Sequence, residues 1–234
     1  MNYHHTTTGI FRSRPNRFLA QVEIGGKTEL CHVKNTGRLG ELLLPGTPAV
    51  LERHEPGKRK TNYSLIAVRK EGQWVNIDSQ APNAAAAEWL SGSPLGFPVT
   101  LLRREQTFGD SRFDFYLEGE GGQKAFLEVK GVTLEVNGIA RFPDAPTERG
   151  VKHIRHLIEA REAGYLAYLL FVIQMKGVTA WEPNERTHPE FARAVREAAE
   201  AGVIVLARDC RVWEQGMEID APVACRVGPG GPAM

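Results

Sequence analysis

Cysteine is scarce in this chain: three of 234 residues, Cys31, Cys210 and Cys225, stand far apart. The odd count excludes a complete disulfide frame, and the spacing excludes a cysteine-built zinc site. They read as reduced thiols of a cytoplasmic protein. Long apolar runs are missing as well. No run approaches the ~18 residues of a membrane-spanning helix, and the longest, Tyr165–Ile173, suits a buried strand. No membrane partner is expected. Met1–Thr8 is polar and lacks the apolar core of a signal peptide. An excess of one charge is also absent: 29 basic and 28 acidic residues leave a net charge of +1. That balance does not announce a nucleic-acid binder over the whole chain. With 42% hydrophobic and 24% charged residues the chain is a folded protein rather than a disordered one.

The balance hides an asymmetry. Residues 1–80 carry 12 Lys/Arg against 7 Asp/Glu, and the remainder carries 17 against 21. A basic binding module joined to an acidic, metal-binding module fits this distribution, as does ordinary variation of surface charge. The first part reads as short strands and tight turns. Phe18–Ile24 alternates and turns at Gly25-Gly26 into Glu29–Val33, and Tyr63–Arg69 pairs with Trp74–Asp78 across Glu71-Gly72. A small antiparallel barrel over residues 1–82 follows. Beyond it, residues 83–234 mix strands and helices. Strands are expected at Val99–Arg104, Arg112–Glu118, Lys124–Lys130, Leu166–Ile173 and Val203–Ala207, with a hairpin around Asn137-Gly138. Helices are expected at Ala84–Leu90, Thr147–Ala163 and Pro189–Ala201. The strand–helix–strand alternation calls for a partly parallel sheet, so the fold class is mixed α+β, a barrel followed by an α/β domain.

Chemistry concentrates on two neighbouring strands. Side chains two apart share a strand face, which puts Phe113, Phe115 and Leu117 on one side and Asp114 on the other. By the same rule Glu128 and Lys130 lie together, opposite Leu127 and Val129. If the glycine turn pairs the strands, Asp114, Glu128 and Lys130 converge. Two carboxylates can hold a hard divalent cation, and a lysine beside it can neutralise charge gathering on a phosphate. Acid–x–Lys on a solvated strand face is the competing reading. On the helix that follows, Arg149, Lys152, His153 and His156 share an arc distinct from the apolar stripe Val151, Ile154 and Ile158. A cationic stripe starting in the first turn suits phosphate contacts, and a solvated face with ion pairs would look the same. In the barrel the candidate contacts are Arg14, Arg17, Lys34, Arg38 and the basic tip Lys58-Arg59-Lys60, with Phe11 and Phe18 interleaved. Phe18, within its alternating strand, reads as a core residue.

Asp114 followed by Glu128-Val129-Lys130 resembles the PD-(D/E)xK nuclease motif, with Phe113 where the motif has proline. The resemblance implies Asp114, Glu128 and the Val129 carbonyl as ligands of Mg²⁺ or Mn²⁺, and Asp114, Glu128 and Lys130 as the catalytic set. More widely, Arg14-Pro-Asn-Arg-Phe18, Asn35-Thr-Gly-Arg-Leu-Gly40, Leu44-Pro-Gly46, Lys60-Thr-Asn-Tyr63, Ser111-Arg-Phe-Asp-Phe115, Phe142-Pro-Asp-Ala145 and Thr147-Glu-Arg-Gly150 with Lys152-His153 are similar to the bacterial sugar fermentation stimulation protein A family. That likeness implies an OB-like barrel, a restriction-endonuclease-like domain and non-specific DNA binding, with a proposed regulatory link to maltose metabolism. On it the chain is expected to be a DNA-binding protein and a metal-dependent nuclease. The alternative is a DNA-binding regulator whose nuclease fold is catalytically silent.

Overall fold

The computed structural model describes residues 1–55, 57 and 60–228, and the backbone of 231–233. The basic tip at Lys58 and Arg59 lies outside the described residues. Six strands open the chain: β1 (Thr6–Asn16), β2 (Leu19–Ile24), β3 (Lys27–Val33), β4 (Pro48–Arg53), β5 (Tyr63–Lys70) and β6 (Gln73–Asn76). They pair in the order β3-β2-β1-β4-β5-β6, and a parallel pairing of β3 with β5 closes the first five into a barrel. Closure removes the exposed edges that a short sheet would otherwise leave. The β2–β3 turn works because both Gly25 and Gly26 have positive φ (56° and 80°), the geometry of a two-residue hairpin that twists with its strands. Alternate residues of these strands, among them Phe11, Ala20, Val22, Cys31, Val33, Leu51 and Leu65, fill the interior.

A helix, α1 (Ala81–Ser91), leads into the second part, with Pro82 in its first turn. Then come β7 (Val99–Phe108), β8 (Ser111–Gly119), β9 (Lys124–Val132), β10 (Leu134–Val136), β11 (Ile139–Phe142), α2 (Glu148–Glu162), β12 (Leu166–Ile173), β13 (Ala180–Pro183), α3 (Pro189–Glu200), β14 (Ile204–Trp213), β15 (Gly216–Gly228) and β16 (Gly231–Ala233). They form one sheet in the order β10-β11-β13-β15-β14-β12-β9-β8-β7, with β16 on β15. At its centre β12 runs parallel to both β9 and β14. That strand is apolar throughout because both its faces are covered. Ala167, Leu169, Phe171 and Ile173 pack under α2 and α3, while Tyr168, Leu170 and Val172 pack with α1. The expected barrel, α/β domain and parallel strands are therefore present.

Five strands go beyond the sequence reading: β1, β4, β13, β15 and β16. One alternation differs from expectation. Phe115 and Leu117 join the α1-side core, but Phe113 packs with Phe108 and Phe126 in the other cluster. Pairing of β8 with β9 runs from Glu118–Lys124 only to Phe115–Leu127. Next to Asp114 the two strands are thus joined by something other than the regular ladder.

Candidate active site and nucleic-acid interface

That join is Asp114 itself. Its Oδ2 accepts the main-chain N–H of Val129 at 2.8 Å, and its Oδ1 accepts from Asn83 Nδ2 at 2.7 Å. Asn83 belongs to the first turn of α1, so the helix on one face of the sheet orients a carboxylate of β8. One strand over, Glu128 is 2% exposed. Its Oε1 accepts from Lys130 Nζ at 2.6 Å and from His153 Nδ1 at 2.5 Å. Its Oε2 is buried without a hydrogen-bond partner. A buried anionic oxygen left unmatched is costly and calls for an explanation.

The electrostatics follow the geometry. Burial, reinforced by the negative charge of Glu128, raises the Asp114 carboxyl above the ordinary aspartate value. Burial acts on Glu128 in the same direction, but the charge of Lys130 and the hydrogen bonds from Lys130 and His153 outweigh it and hold its carboxyl low. The site thus favours charge on Glu128, while the charge on Asp114 needs help. A divalent cation between them would supply that help and would give Glu128 Oε2 its missing partner. The donor set, two carboxylates at the wall of a polar cleft, fits such an ion.

The sequence predicted that Asp114, Glu128 and Lys130 would meet, and the fold brings them together. They line one cleft with Ser79, Asn83, Glu105, Arg112, Thr147, Arg149 and His153. His153, expected on a phosphate-facing stripe, instead turns inward. Its Nε2 accepts from Arg149 Nε at 3.3 Å, so the ring proton resides on Nδ1 and goes to Glu128. Lys152 and His156 bind Asp110, at 3.1 and 3.3 Å, and His156 Nδ1 also meets Ser111 Oγ, which fastens α2 to the β7–β8 turn. Of the stripe, Arg149 remains exposed at the cleft. The α2 helix is capped as its sequence suggests, with Thr147 Oγ1 accepting from Gly150 N at 3.1 Å.

In the barrel the expected cations separate into two kinds. Arg14 is folded back, donating to the carbonyls of Arg17, Asn35, Gly37 and Arg38 at 2.7–2.9 Å. Lys34 is paired with Asp78 at 2.7 Å and Glu52 at 3.6 Å. Both brace the structure rather than face outward. Arg17, Arg38 and Lys60 are exposed. Phe18, expected in the core, is 44% exposed, with the Arg17 guanidinium 4.7 Å from its ring centre.

A second group of metal-ligating types, Glu148, His188 and Glu190, has ligand atoms within 4.8 Å of one another. His188 Nδ1 accepts from Thr147 N at 3.3 Å, which leaves the proton of the neutral ring on Nε2, 3.6 Å from Glu148. Glu190 is bound by Arg155 at 2.7 Å. These residues join the starts of α2 and α3, and the imidazole has no lone pair left for an ion.

Asn83, Arg112 and the inward role of His153 went unread in the sequence. Only the four-residue spacing of Arg149 and His153 carried a signal, since it sets them on one side of a helix.

Two family models match the chain: "SfsA N-terminal OB domain" over residues 13–77 and "Sugar fermentation stimulation protein RE domain" over residues 80–216. A sugar fermentation stimulation protein homolog of Ruminiclostridium cellulolyticum is 51% identical over 227 residues, covering 97% of this chain and 100% of its own. A homolog from Desulfitobacterium hafniense is 53% identical over 220 residues, covering 93% of this chain and 95% of its own. Among solved structures, that of Pyrococcus furiosus SfsA in complex with Ca²⁺ is 28% identical with a TM-score of 0.84, over 97% of this chain and 98% of that one.

Proposed function

The chain belongs to the sugar fermentation stimulation protein family, and we propose that it binds DNA and hydrolyses phosphodiester bonds at the cleft of Asp114, Glu128 and Lys130. The observation that carries this reading is the unmatched Oε2 of Glu128, buried beside a second carboxylate in a polar cleft. The Ca²⁺ in the Pyrococcus furiosus relative supports a hard divalent cation as its partner.

Asp114 and Glu128 would hold the ion, with the Val129 carbonyl as the third protein ligand. Mg²⁺ or Mn²⁺ there supplies a Lewis acid and a bound water of lowered pKa. The chain's own residues do the rest. Asn83 and the Val129 amide fix the Asp114 carboxylate, and His153 and Lys130 keep Glu128 ionised. Lys130, 2.6 Å from Glu128 at the cleft wall, would offer its ammonium to the scissile phosphate and stabilise the charge that builds on its oxygens. Arg149 and Arg112, at the cleft wall, position the flanking phosphates. Hydrolysis adds water across the P–O bond: the hydroxyl goes to phosphorus and the leaving oxygen takes up a proton. In the barrel, Arg17, Arg38 and Lys60 supply exposed positive charge for the phosphate backbone.

Purified protein incubated with linear and single-stranded DNA and Mn²⁺ should cleave, and EDTA, Asp114→Ala or Glu128→Gln should each stop cleavage. Salt-sensitive binding without cleavage under Mg²⁺ and Mn²⁺ would establish the silent regulator instead. Absence of binding at low salt would remove both.

A further inference from the structure

Phe18 neither fills the barrel core nor reaches the carboxylate cleft. It stands at the tip of the β1–β2 hairpin, outside the barrel core, and is 44% exposed. Its surroundings are built to hold it there. Asn16 Oδ1 accepts the Phe18 N–H at 2.9 Å, closing a local turn, and the Phe18 carbonyl accepts from Val33 N at 2.8 Å. Arg14 binds the carbonyl of Arg17 and, with the same guanidinium, those of Asn35, Gly37 and Arg38. Tip and loop are therefore one rigid unit. An arginine whose two terminal nitrogens both go to main-chain carbonyls, with its Nε buried and unmatched, is an expensive way to fix a surface turn whose outward product is one aromatic ring.

The braced loop leads toward the cleft. Asn35, Thr36 and Gly37 line a depression with Asp144, Pro146, Ser79 and Thr147, and the last two also line the cleft of Asp114 and Glu128. Arg38 N donates to Asp144 Oδ2 at 3.2 Å, tying the loop to the segment before α2. A polar path thus runs from the carboxylates along the seam between barrel and α/β domain to the loop that Arg14 fastens to the tip.

We propose that Phe18 is a base-stacking platform, and that the strand held by this protein carries unpaired bases where it crosses the barrel. This rests on the DNA-binding reading above and narrows its substrate to DNA with a single-stranded segment. An exposed aromatic ring accepts any base, and the Arg17 guanidinium, which lies over the ring 4.7 Å from its centre, would swing away to engage the adjoining phosphate as the base stacks. In duplex DNA the bases are stacked on each other and offer no face to the ring, so the preference is for single strands, flaps or gaps.

The test uses oligonucleotides carrying one 2-aminopurine, whose fluorescence is quenched when it stacks. Full-length protein is titrated in Ca²⁺ against single-stranded and duplex versions, with Phe18→Ala, Phe18→Leu and Phe18→Tyr beside the wild type. The expected result is quenching with wild type and Phe18→Tyr on single strands, and no quenching with Ala or Leu. Affinity for single strands should fall about ten-fold in Phe18→Ala, with duplex affinity and the salt slope unchanged. Wild-type affinity and signal in Phe18→Ala would overturn the platform while leaving DNA binding in place. Failure of the wild type to bind either DNA would overturn both readings.

Discussion

His153 donates to Oε1 of Glu128 at 2.5 Å, so the first half of α2 reaches back to the middle of β9 through one buried contact. The contact has a consequence for stability. Glu128 is held below the ordinary carboxylate value by Lys130 and His153 against the effect of burial. A depressed folded value means that this group stabilises the fold above the unfolded value near 4.5 and loses that contribution as pH falls through the folded value. His153→Ala should cost roughly 1–3 kcal/mol at neutral pH, the range for a hydrogen bond to a buried charge. Urea unfolding at pH 7 and pH 4 checks this, and the gap between variant and wild type should narrow at the lower pH.

Asp114 has the opposite sign. Its folded value is raised, so ionising it opposes folding, and the penalty grows as pH rises through that value. Asp114→Asn should therefore melt a few degrees higher than wild type in EDTA at pH 7. Adding Mn²⁺ or Ca²⁺ should reverse the order, since the ion stabilises the wild type by about 2.7 kcal/mol at a hundred-fold excess over its Kd. A variant that melts lower in EDTA would show that the Asn83 and Val129 contacts outweigh the charge.

Metal affinity should follow the same group. Ion binding requires Asp114 ionised, so affinity should decline with falling pH at a higher pH than an unperturbed aspartate would dictate. Calorimetric titration of Mn²⁺ from pH 5 to 8 should show proton release on binding. Asn83→Ala, which removes the donor to Oδ1, should shift that release toward higher pH.

Arg14 and Arg17 should part company under mutation although they stand three residues apart. Arg14→Ala strands four carbonyl partners and should cost about 2 kcal/mol or more of stability. Arg17→Ala removes an exposed cation resting on Phe18 and should leave stability within about 0.5 kcal/mol. It should lower the salt slope of DNA binding by nearly one.

The thiols should be inert. Cys31, Cys210 and Cys225 are all buried, and burial raises each, to about 12 for Cys31 and about 11 for Cys225. A chromogenic disulfide reagent at pH 8 should react with the native protein only at the rate of its opening, and with three thiols per chain in guanidinium.

Much of this architecture was legible because local chemistry and global fold agree. The Gly25-Gly26 and Asn137-Gly138 turns, the Thr147 cap and the continuous apolar run of β12 each name their own structure. The strands β1 and β15 were not legible. Gly9 and Pro15 interrupt the first, and Pro222 with a register shift interrupts the second, so their pairing depends on partners distant in sequence. The carboxylates and lysine could be found because alternation on a strand is a short-range rule. Asn83 could not, since an asparagine in the first turn of a helix reads as a local cap until the sheet is packed against it. Phe18 was misplaced for a related reason: alternation continued one residue past the point where β2 begins, into a turn that follows no period.

The seam between the two halves carries a last consequence. Gln174 Nε2 donates to the carbonyls of Asn76 and Asp78 and to Asn76 Oδ1 at 3.0–3.1 Å, Asn76 N donates to the Gln174 carbonyl at 3.0 Å, and Lys70 is paired with Glu135. With the seam so riveted, hairpin and cleft would stand at a fixed separation under the proposed function. A polymer gripped at the hairpin and cut at the carboxylates would be severed a set number of units from the grip, and its fragments would carry that length as a signature.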